Sequence, residues 1–400
     1  MNERSGEWDM INPDVNSDKP SRQCRICHVI DHLSLHGAQV YLAKLVRGLS
    51  EKGYEQRIYG LNDPRSPEID EMLRSARAKV ETIGKVKLIS LYGLVKLFLD
   101  LRTWRPHVLQ TFLPFSDIIG RSLGRLSKVP AVVSVVTQPN VEKSGWQYAV
   151  DRITAPWADR VVFNSRAIVP FALSREGVKP EQVEYIPNGI ELDSPSRPDA
   201  GQALRQRLGI RVDAEVVGCV ARLYPQKGHM HLLDAFSEVV KQVPTAVLLV
   251  VGDGPLRPEL ERRVAERGIA WATKFLGNRS DLRDLLECVD LYVQSSLWEG
   301  MSIALMQAML RGLPVIATKV DGTLEIVENG KTGFLVQPGD SHGLAKSILS
   351  ALSHRDETRQ VAERGAELIQ REFSVEKMVN SFDDLYRRLL KDSGNPCARI

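Results

Sequence analysis

At 400 residues the chain exceeds the size at which one hydrophobic core keeps growing, and its 43% apolar content is ample for two. A formal charge of +3 is near neutral for this length and gives no reason to propose nucleic acid as a partner. The five cysteines, an odd and scattered set, argue against a disulfide framework and for a reducing compartment. No run reaches the roughly 18 to 20 apolar residues of a membrane span, and the polar start lacks a signal-peptide core, so a soluble, cytoplasmic protein is expected.

Residues 1–20 are polar, with Asn, Asp, Ser and Pro and no apolar period, and read as a disordered tail. Short apolar runs then alternate with helical patterns. Residues 29–30, 57–61, 80–83, 108–111, 131–135, 160–163 and 183–186 read as strands, with helical stretches such as 39–49 between them. That is the grammar of a parallel sheet covered on both faces, here a first domain over residues 21–190. Cys24 and Cys27 have redox or metal spacing, but on a buried strand their thiols point to opposite faces, which favours a structural role. His28, His32 and His36 crowd the first turn, where any one can reach a cleft.

Leu88, Leu91, Tyr92, Val95, Phe98 and Leu99 make one helical stripe, and Leu94, Leu97 and Leu101 make a second that an ordinary surface helix would not need. Lys85, Lys87, Lys96, Arg102 and Arg105 surround them, and residues 74–128 hold eleven Lys or Arg against three acids. Two readings stand: a helix buried on two sides, which is preferred, or a basic amphipathic patch making peripheral contact with an anionic membrane.

The alternation pauses at a linker near residues 187–200 and resumes with strands at 215–220, 246–251, 274–276, 291–293, 314–317 and 333–336, a second domain over 191–375. Beyond Asp340 the strands stop and three helical segments follow. The last, 376–392, is expected to pack back on the first domain. The fold class is therefore α/β, with two Rossmann-like, doubly wound domains facing across a cleft. Ligands in such sheets bind beyond the carboxyl ends of the strands.

Several strand-end segments carry chemistry. Gly300 followed by Ser302 and an apolar-periodic run is a helix start, whose free N–H groups and positive dipole end suit an anion, with Ser302 as N-cap. Glu299 precedes that start, so its carboxylate can meet hydroxyls at the mouth, while the Gln307 amide can reach along the helix. Arg222 and Lys227-Gly228 follow the strand at 215–220. A forked cation and a mobile one at a strand end match a diphosphate leaving group that gains negative charge as it departs. Gly252-Asp253-Gly254 is a tight strand-to-helix turn, weak evidence alone, and Gly37 opens the first helix in the same way. His229 and His231 read as surface residues or as supports behind Lys227. Neither a dinucleotide fingerprint, a phosphate loop, a nucleophile elbow nor convincing metal-ligand spacing is present.

Gly37-Ala38-Gln39, Ile186-Pro187-Asn188-Gly189-Ile190, Arg222-x4-Lys227-Gly228, Val251-Gly252-Asp253-Gly254-Pro255, Phe275-Leu276-Gly277 and Glu299-Gly300-x-Ser302-x3-Met306-x-Ala308-Met309 together resemble the family 4 retaining glycosyltransferases of the GT-B fold. Gly312-x-Pro314-Val315-Ile316-Ala317 and Glu325-Ile326-Val327-x-x-Gly330-x-x-Gly333 continue the match, which spans residues 24–390 and is most specific over 215–340.

The resemblance implies transfer of a sugar, with retention and without a metal or other cofactor, from a UDP- or GDP-sugar to a surface-polysaccharide or lipid-linked glycan acceptor. It implies that Arg222 and Lys227 hold the diphosphate, Glu299 the sugar hydroxyls, the amides of Gly300, Met301 and Ser302 the distal phosphate or sugar, and the Gly277, Asn278 and Arg279 turn the base. Gly252, Gly254 and Gln307 join the donor side. His36, Gly37, Gln39, Thr137 and Asn188 are candidates for the acceptor or phosphate side. Position 307 is Gln where the family usually has Glu, and Val136 or Thr137 stands where many relatives place a cleft His. Those departures motivate a catalytically silent sugar-nucleotide-binding scaffold as an alternative, with a GT-B-like sugar-nucleotide epimerase as another.

Overall fold

The computed structural model describes residues 23–84, 91–137, 143–192, 198–279, 281–395 and 397. Its first sheet contains β1 (Arg25–Leu33), β2 (Glu55–Arg65), β3 (Lys79–Thr82), β4 (Val108–Phe112), β5 (Ala131–Val136), β6 (Arg160–Phe163) and β7 (Val183–Tyr185). Their order is β3-β2-β1-β4-β5-β6-β7. The second contains β8 (Val216–Val220), β9 (Val247–Val251), β10 (Thr273–Gly277), β11 (Leu291–Gln294), β12 (Val315–Thr318) and β13 (Phe334–Val336), in the order β10-β9-β8-β11-β12-β13. Every pairing between neighbouring strands is parallel.

Burial on both faces is visible in β1. Ile26 and Ile30 enter one core, while Cys27 and Val29 enter the core on the opposite face. Cys24 lies with the first set, so Cys24 and Cys27 are indeed on opposite sides of the sheet. A register shift between His32 and Leu33 lets β1 turn out toward the first helix, Gly37–Glu51. In the second sheet Val217 and Cys219 face one core and Val216 another.

The chain passes between the sheets twice, at Ile190 and at Ser374, and the two passages touch. Ile190 N–H donates to the Phe373 carbonyl at 2.8 Å, and Val375 N–H donates back to the Ile190 carbonyl at 3.0 Å. The helix Arg355–Glu372 contributes Ile369 to the core beneath the helix Ile303–Leu310. After the second passage the helix Val375–Asp392 buries Met378, Val379, Phe382, Leu385, Tyr386, Leu389 and Leu390 in the core of the first sheet. Tyr54 Oη fixes it by donating to Asp383 at 2.6 Å, and a Cβ on Gly48 would run into Val379, so the helices lie in close contact.

One reading is corrected. The helix Leu91–Trp104 is buried on one side only: Gly93, Leu97, Leu101 and Trp104 face the core, while Leu91, Tyr92, Val95 and Leu99 are 77%, 79%, 49% and 53% exposed. Two apolar stripes do not by themselves require two covering partners. Leu88, and with it Lys85 and Lys87, lies outside the described residues. Among the described residues no helix is long and apolar enough to cross a membrane.

Candidate active site

In each sheet the strand order reverses between two neighbours, β1 and β4 in the first and β8 and β11 in the second. Loops leaving the carboxyl ends of such neighbours diverge, and the gap is where open parallel sheets take ligands. At the second switch point the loop after β8 carries Arg222 and Lys227, and the loop after β11 carries Glu299. The Lys227 ammonium and the Glu299 carboxylate form a salt bridge, with side chains only 14% and 12% exposed. Ser296 Oγ donates to the same Glu299 oxygen at 2.9 Å.

The two loops are stitched together by the backbone. Leu297 N–H donates to the Gln226 carbonyl at 2.7 Å, and Ser295 Oγ donates to the Lys227 carbonyl at 3.0 Å. Gly228, with φ at +63°, sits where a Cβ would collide with the Ser295 carbonyl. The adjoining turn after β9 is pressed on the Arg222 loop in the same way. A Cβ on Gly252 would strike the Ala221 carbonyl, and one on Gly254 would lie 2.6 Å from the Leu223 carbonyl. These glycines therefore position the Arg222 segment. Arg222 itself is exposed, its guanidinium 5.0 Å from the Tyr224 ring centroid.

Ser302 caps the helix Ile303–Leu310 as anticipated, accepting from Leu305 N–H at 3.4 Å. Gly300 N-terminal to it is closely backed by Gly322, where any Cβ would collide with the Gly300 carbonyl. The Met301 side chain belongs to the core, so only its backbone can serve a ligand. Gln307 is half-buried on that helix. At the far edge of the donor-side surface the Gly277 carbonyl accepts from Gly252 N–H at 2.8 Å, and Asn278 is exposed. Arg279 is committed to a fork with Asp281, its Nε at 2.7 Å from the carboxylate.

The first switch point faces this surface. An added Cβ on Gly300 would lie 3.5 Å from the Thr137 carbonyl, and Ser165 Oγ and Ala167 N–H both donate to Glu325 across the same divide. His36 starts the first helix and shares Ser34 Oγ with His32, at 3.1 and 2.6 Å. At Gly37 nothing would obstruct a Cβ, which leaves room for a ligand to approach the backbone.

Two candidates are buried and hydrogen-bonded within the protein, although Gln39 Oε1 has no hydrogen-bond partner among the described residues. Gln39 is 1% exposed and donates its amide to the His32 carbonyl at 3.0 Å, inside its own turn. Asn188 is 5% exposed and joins the two sheets instead, accepting from Asn164 Nδ2 at 3.0 Å and facing the Met301 carbonyl at 3.5 Å. A polar residue after a strand serves the junction as readily as a ligand.

Sequence reasoning passed over Asp31, at the end of β1. Its carboxylate accepts from Ser116 N–H at 2.6 Å and Phe115 N–H at 3.3 Å, capping the helix Pro114–Leu126 at the first switch point. Burial pushes it up to about 6 despite those two donors. An acidic residue ending the first strand of a doubly wound sheet was the available signal. Phe115 and Trp146, exposed with ring centroids 6.4 Å apart, were missed as well.

His229 is not a surface residue: it is 2% exposed beside Lys227, and burial first, then the Lys227 charge, hold its imidazole down at about 4. The folded state keeps this ring neutral, so its contribution is complete above the ordinary value of 6.5 and is lost as pH falls toward 4. His229→Leu is expected to reduce the stability lost between pH 7 and pH 5 by about 2 kcal/mol relative to wild type, measured by urea denaturation. Equal losses in the two proteins would show that the ring is not kept neutral.

The comparisons with known proteins agree with this geometry. Residues 201–368 match the family model described as glycosyl transferases group 1, and residues 35–194 match that of glycosyltransferase family 4. EpsF of Bacillus subtilis (strain 168) is 31% identical over 77% of this chain and 83% of its own. The UDP-Gal:α-D-GlcNAc-diphosphoundecaprenol α-1,3-galactosyltransferase of Escherichia coli is 27% identical over 75% of this chain and 78% of its own. Among solved structures, Anabaena HepE in complex with UDP and glucose superposes with a TM-score of 0.78 at 22% identity, over 91% of this chain and 99% of that one. With two doubly wound sheets whose carboxyl ends meet and a cation–carboxylate pair at the second switch point, the chain belongs to the family 4 glycosyltransferases of the GT-B fold.

Proposed function

We propose that this glycosyltransferase moves a sugar from a UDP- or GDP-sugar to a lipid-linked or surface-polysaccharide acceptor, with retention at the anomeric carbon and no metal requirement. The observation that carries the reading is the Lys227–Glu299 pair at the second switch point, with Arg222 on the same loop. When the donor binds, its diphosphate takes Lys227 as a counter-ion and Glu299 turns to the hydroxyls of the transferred sugar. Lys227 and Arg222 then stabilise charge that grows on the leaving phosphate. The amides at Gly300, Met301 and Ser302 add donors aimed at the same anion. The leaving phosphate takes the acceptor proton, and the acceptor enters past Thr137, His36 and Gly37.

The relatives support the choice of ligands. HepE has been crystallised with UDP and glucose, and the E. coli relative is named for a UDP-sugar donor and a diphosphoundecaprenol acceptor. The reaction is tested by supplying a UDP- or GDP-sugar with a polyprenyl-diphosphate-linked sugar and reading the new linkage by NMR. The expected product keeps the donor's anomeric configuration. An inverted product would refute retention, donor binding without transfer would favour the scaffold, and conversion of the free donor without acceptor would favour the epimerase.

Work on the cytoplasmic face of a membrane suits the exposed stripe Leu91, Tyr92, Val95 and Leu99, with Arg102 and Arg105 alongside. Lys96 adds less charge than its sequence position suggested, because it pairs with Glu81. The chain is expected to float with anionic vesicles, to be released by salt, and to lose binding in a Tyr92→Glu/Val95→Glu variant. Equal binding to neutral vesicles, or none to either, would remove the electrostatic contact.

A further inference from the structure

At the amino ends of the central strands β1 and β4, the opposite end from the cleft, the Sγ atoms of Cys24 and Cys397 and a ring nitrogen of His107 lie within 4.8 Å of one another. Their positions span the length of the chain, so neither the odd cysteine count nor any local spacing announces the group. We propose that Cys24 and Cys397 form a reversible disulfide by exchange with a small anionic disulfide, fastening the C-terminal segment to the start of β1.

The imidazole decides between thiol chemistry and a metal. Arg25 N–H donates to His107 Nδ1 at 3.0 Å, which makes Nδ1 the acceptor and puts the proton on Nε2. That Nε2–H lies 3.4 Å from Cys397 Sγ and donates to it. A metal on Nε2 would need its lone pair there, leaving a protonated Nδ1 facing the Arg25 N–H, donor against donor. Cys27 is no rival partner, since it is buried in the core on the other face of the sheet.

The reagent class follows from the neighbouring cleft. A cavity of about 830 Å³ beside His107 is lined by Arg25, Arg102, Arg105 and Lys128 against the single acid Glu55, with Asn395 at its edge. Such a site concentrates an anionic disulfide such as oxidised glutathione. Cys397 follows the end of the last helix, its N–H donating to Asn395 Oδ1 at 3.1 Å, and it is 3% exposed against 5% for Cys24, so the exchange requires both thiols to be uncovered first. Burial holds the Cys24 thiol in its protonated form, which leaves Cys397 as the first nucleophile.

The Cys397 thiolate attacks one sulfur of the small disulfide, forming a mixed disulfide and expelling one small thiolate. Cys24 then attacks Cys397 Sγ, giving its proton to solvent, and the second small thiolate leaves. The protein pair loses two electrons, the small disulfide gains two, and each released thiolate takes up a proton.

The test uses the full chain, reduced and then equilibrated with oxidised glutathione, quenched with maleimide under denaturing conditions and weighed intact. The expected result is a monomer with two of its five thiols protected, and a tryptic cross-link joining the peptide of Cys24 to that of Cys397. Trypsin cuts after Arg25, so Cys24 and Cys27 separate. Cys397→Ser is expected to abolish protection of Cys24, and Cys288→Ser to leave the cross-link intact. Five reactive thiols, or a cross-link between other cysteines, would overturn the proposal. So would one equivalent of zinc retained by the reduced chain through dialysis and lost in Cys397→Ser.

Discussion

Lys227→Ala is expected to lower kcat/KM by about 10²- to 10³-fold, the range seen when one preorganised donor to a developing oxyanion is removed. Two effects act together. On the proposed function the growing charge on the leaving phosphate loses one of its two cations, and Glu299, largely buried, loses its ion-pair partner. They are separable. Glu299→Gln removes the carboxylate, so in the double variant the second effect is already gone, and the two losses should fall short of additivity by about 1 to 3 kcal/mol. Steady-state kinetics on the four proteins, with thermal melts to exclude unfolding, complete the cycle. Turnover within about threefold of wild type in Lys227→Ala would remove this residue from the chemistry.

Gly322→Ala is expected to damage donor binding more than its single methyl group suggests. The added Cβ would collide with the Gly300 carbonyl, and Gly322 N–H also donates to the Glu299 carbonyl at 3.3 Å. The new atom therefore pushes on the turn that presents Glu299, Gly300 and Ser302. Overpacking of this kind costs about 1 to 3 kcal/mol of stability, and a shift of about 1 Å at a reacting site can cost about 100-fold in rate. Gly145→Ala is the control, because no atom lies within 4 Å of where its Cβ would go. Its stability should stay within about 0.5 kcal/mol of wild type. Equal stability and equal donor affinity in both variants would show that the Gly300 turn is not braced by Gly322.

The central strands β4, β5, β11 and β12 were legible because each is a short run buried on both faces, a pattern that needs no knowledge of its neighbours, and the half-buried outer strands β3, β7 and β13 were placed by their spacing between helical stretches. Helix starts with their own chemistry, such as Ser302, were legible for the same reason. What escaped was contact between distant residues. Nothing in the local spacing says that Lys227 and Glu299 touch, or that Asp31 caps a helix beginning 83 residues later at Pro114. Gln39 and Asn188 were assigned to the ligand because they follow strands, yet one closes its own turn and the other bridges the sheets. His229 was read as a surface residue or as a support behind Lys227, and only the first is excluded, since it is buried beside Lys227 at the start of a helix whose first turn is pressed under the Ser295 loop. The apolar period of the helix Leu91–Trp104 was read correctly, and the number of covered faces was not, since periodicity records which residues align and not what lies against them.

The central claim is that a nucleotide-sugar diphosphate sits between Arg222, Lys227 and Glu299, and the most direct measurement is a thermal-shift panel of UDP-, GDP-, ADP- and dTDP-sugars on wild type and Lys227→Ala. A donor at about a hundred times its dissociation constant stabilises by roughly 2.7 kcal/mol, which such a panel resolves. The account predicts a shift with UDP- or GDP-sugars that disappears in the variant. An equal shift in both proteins, or none with any donor, would contradict it.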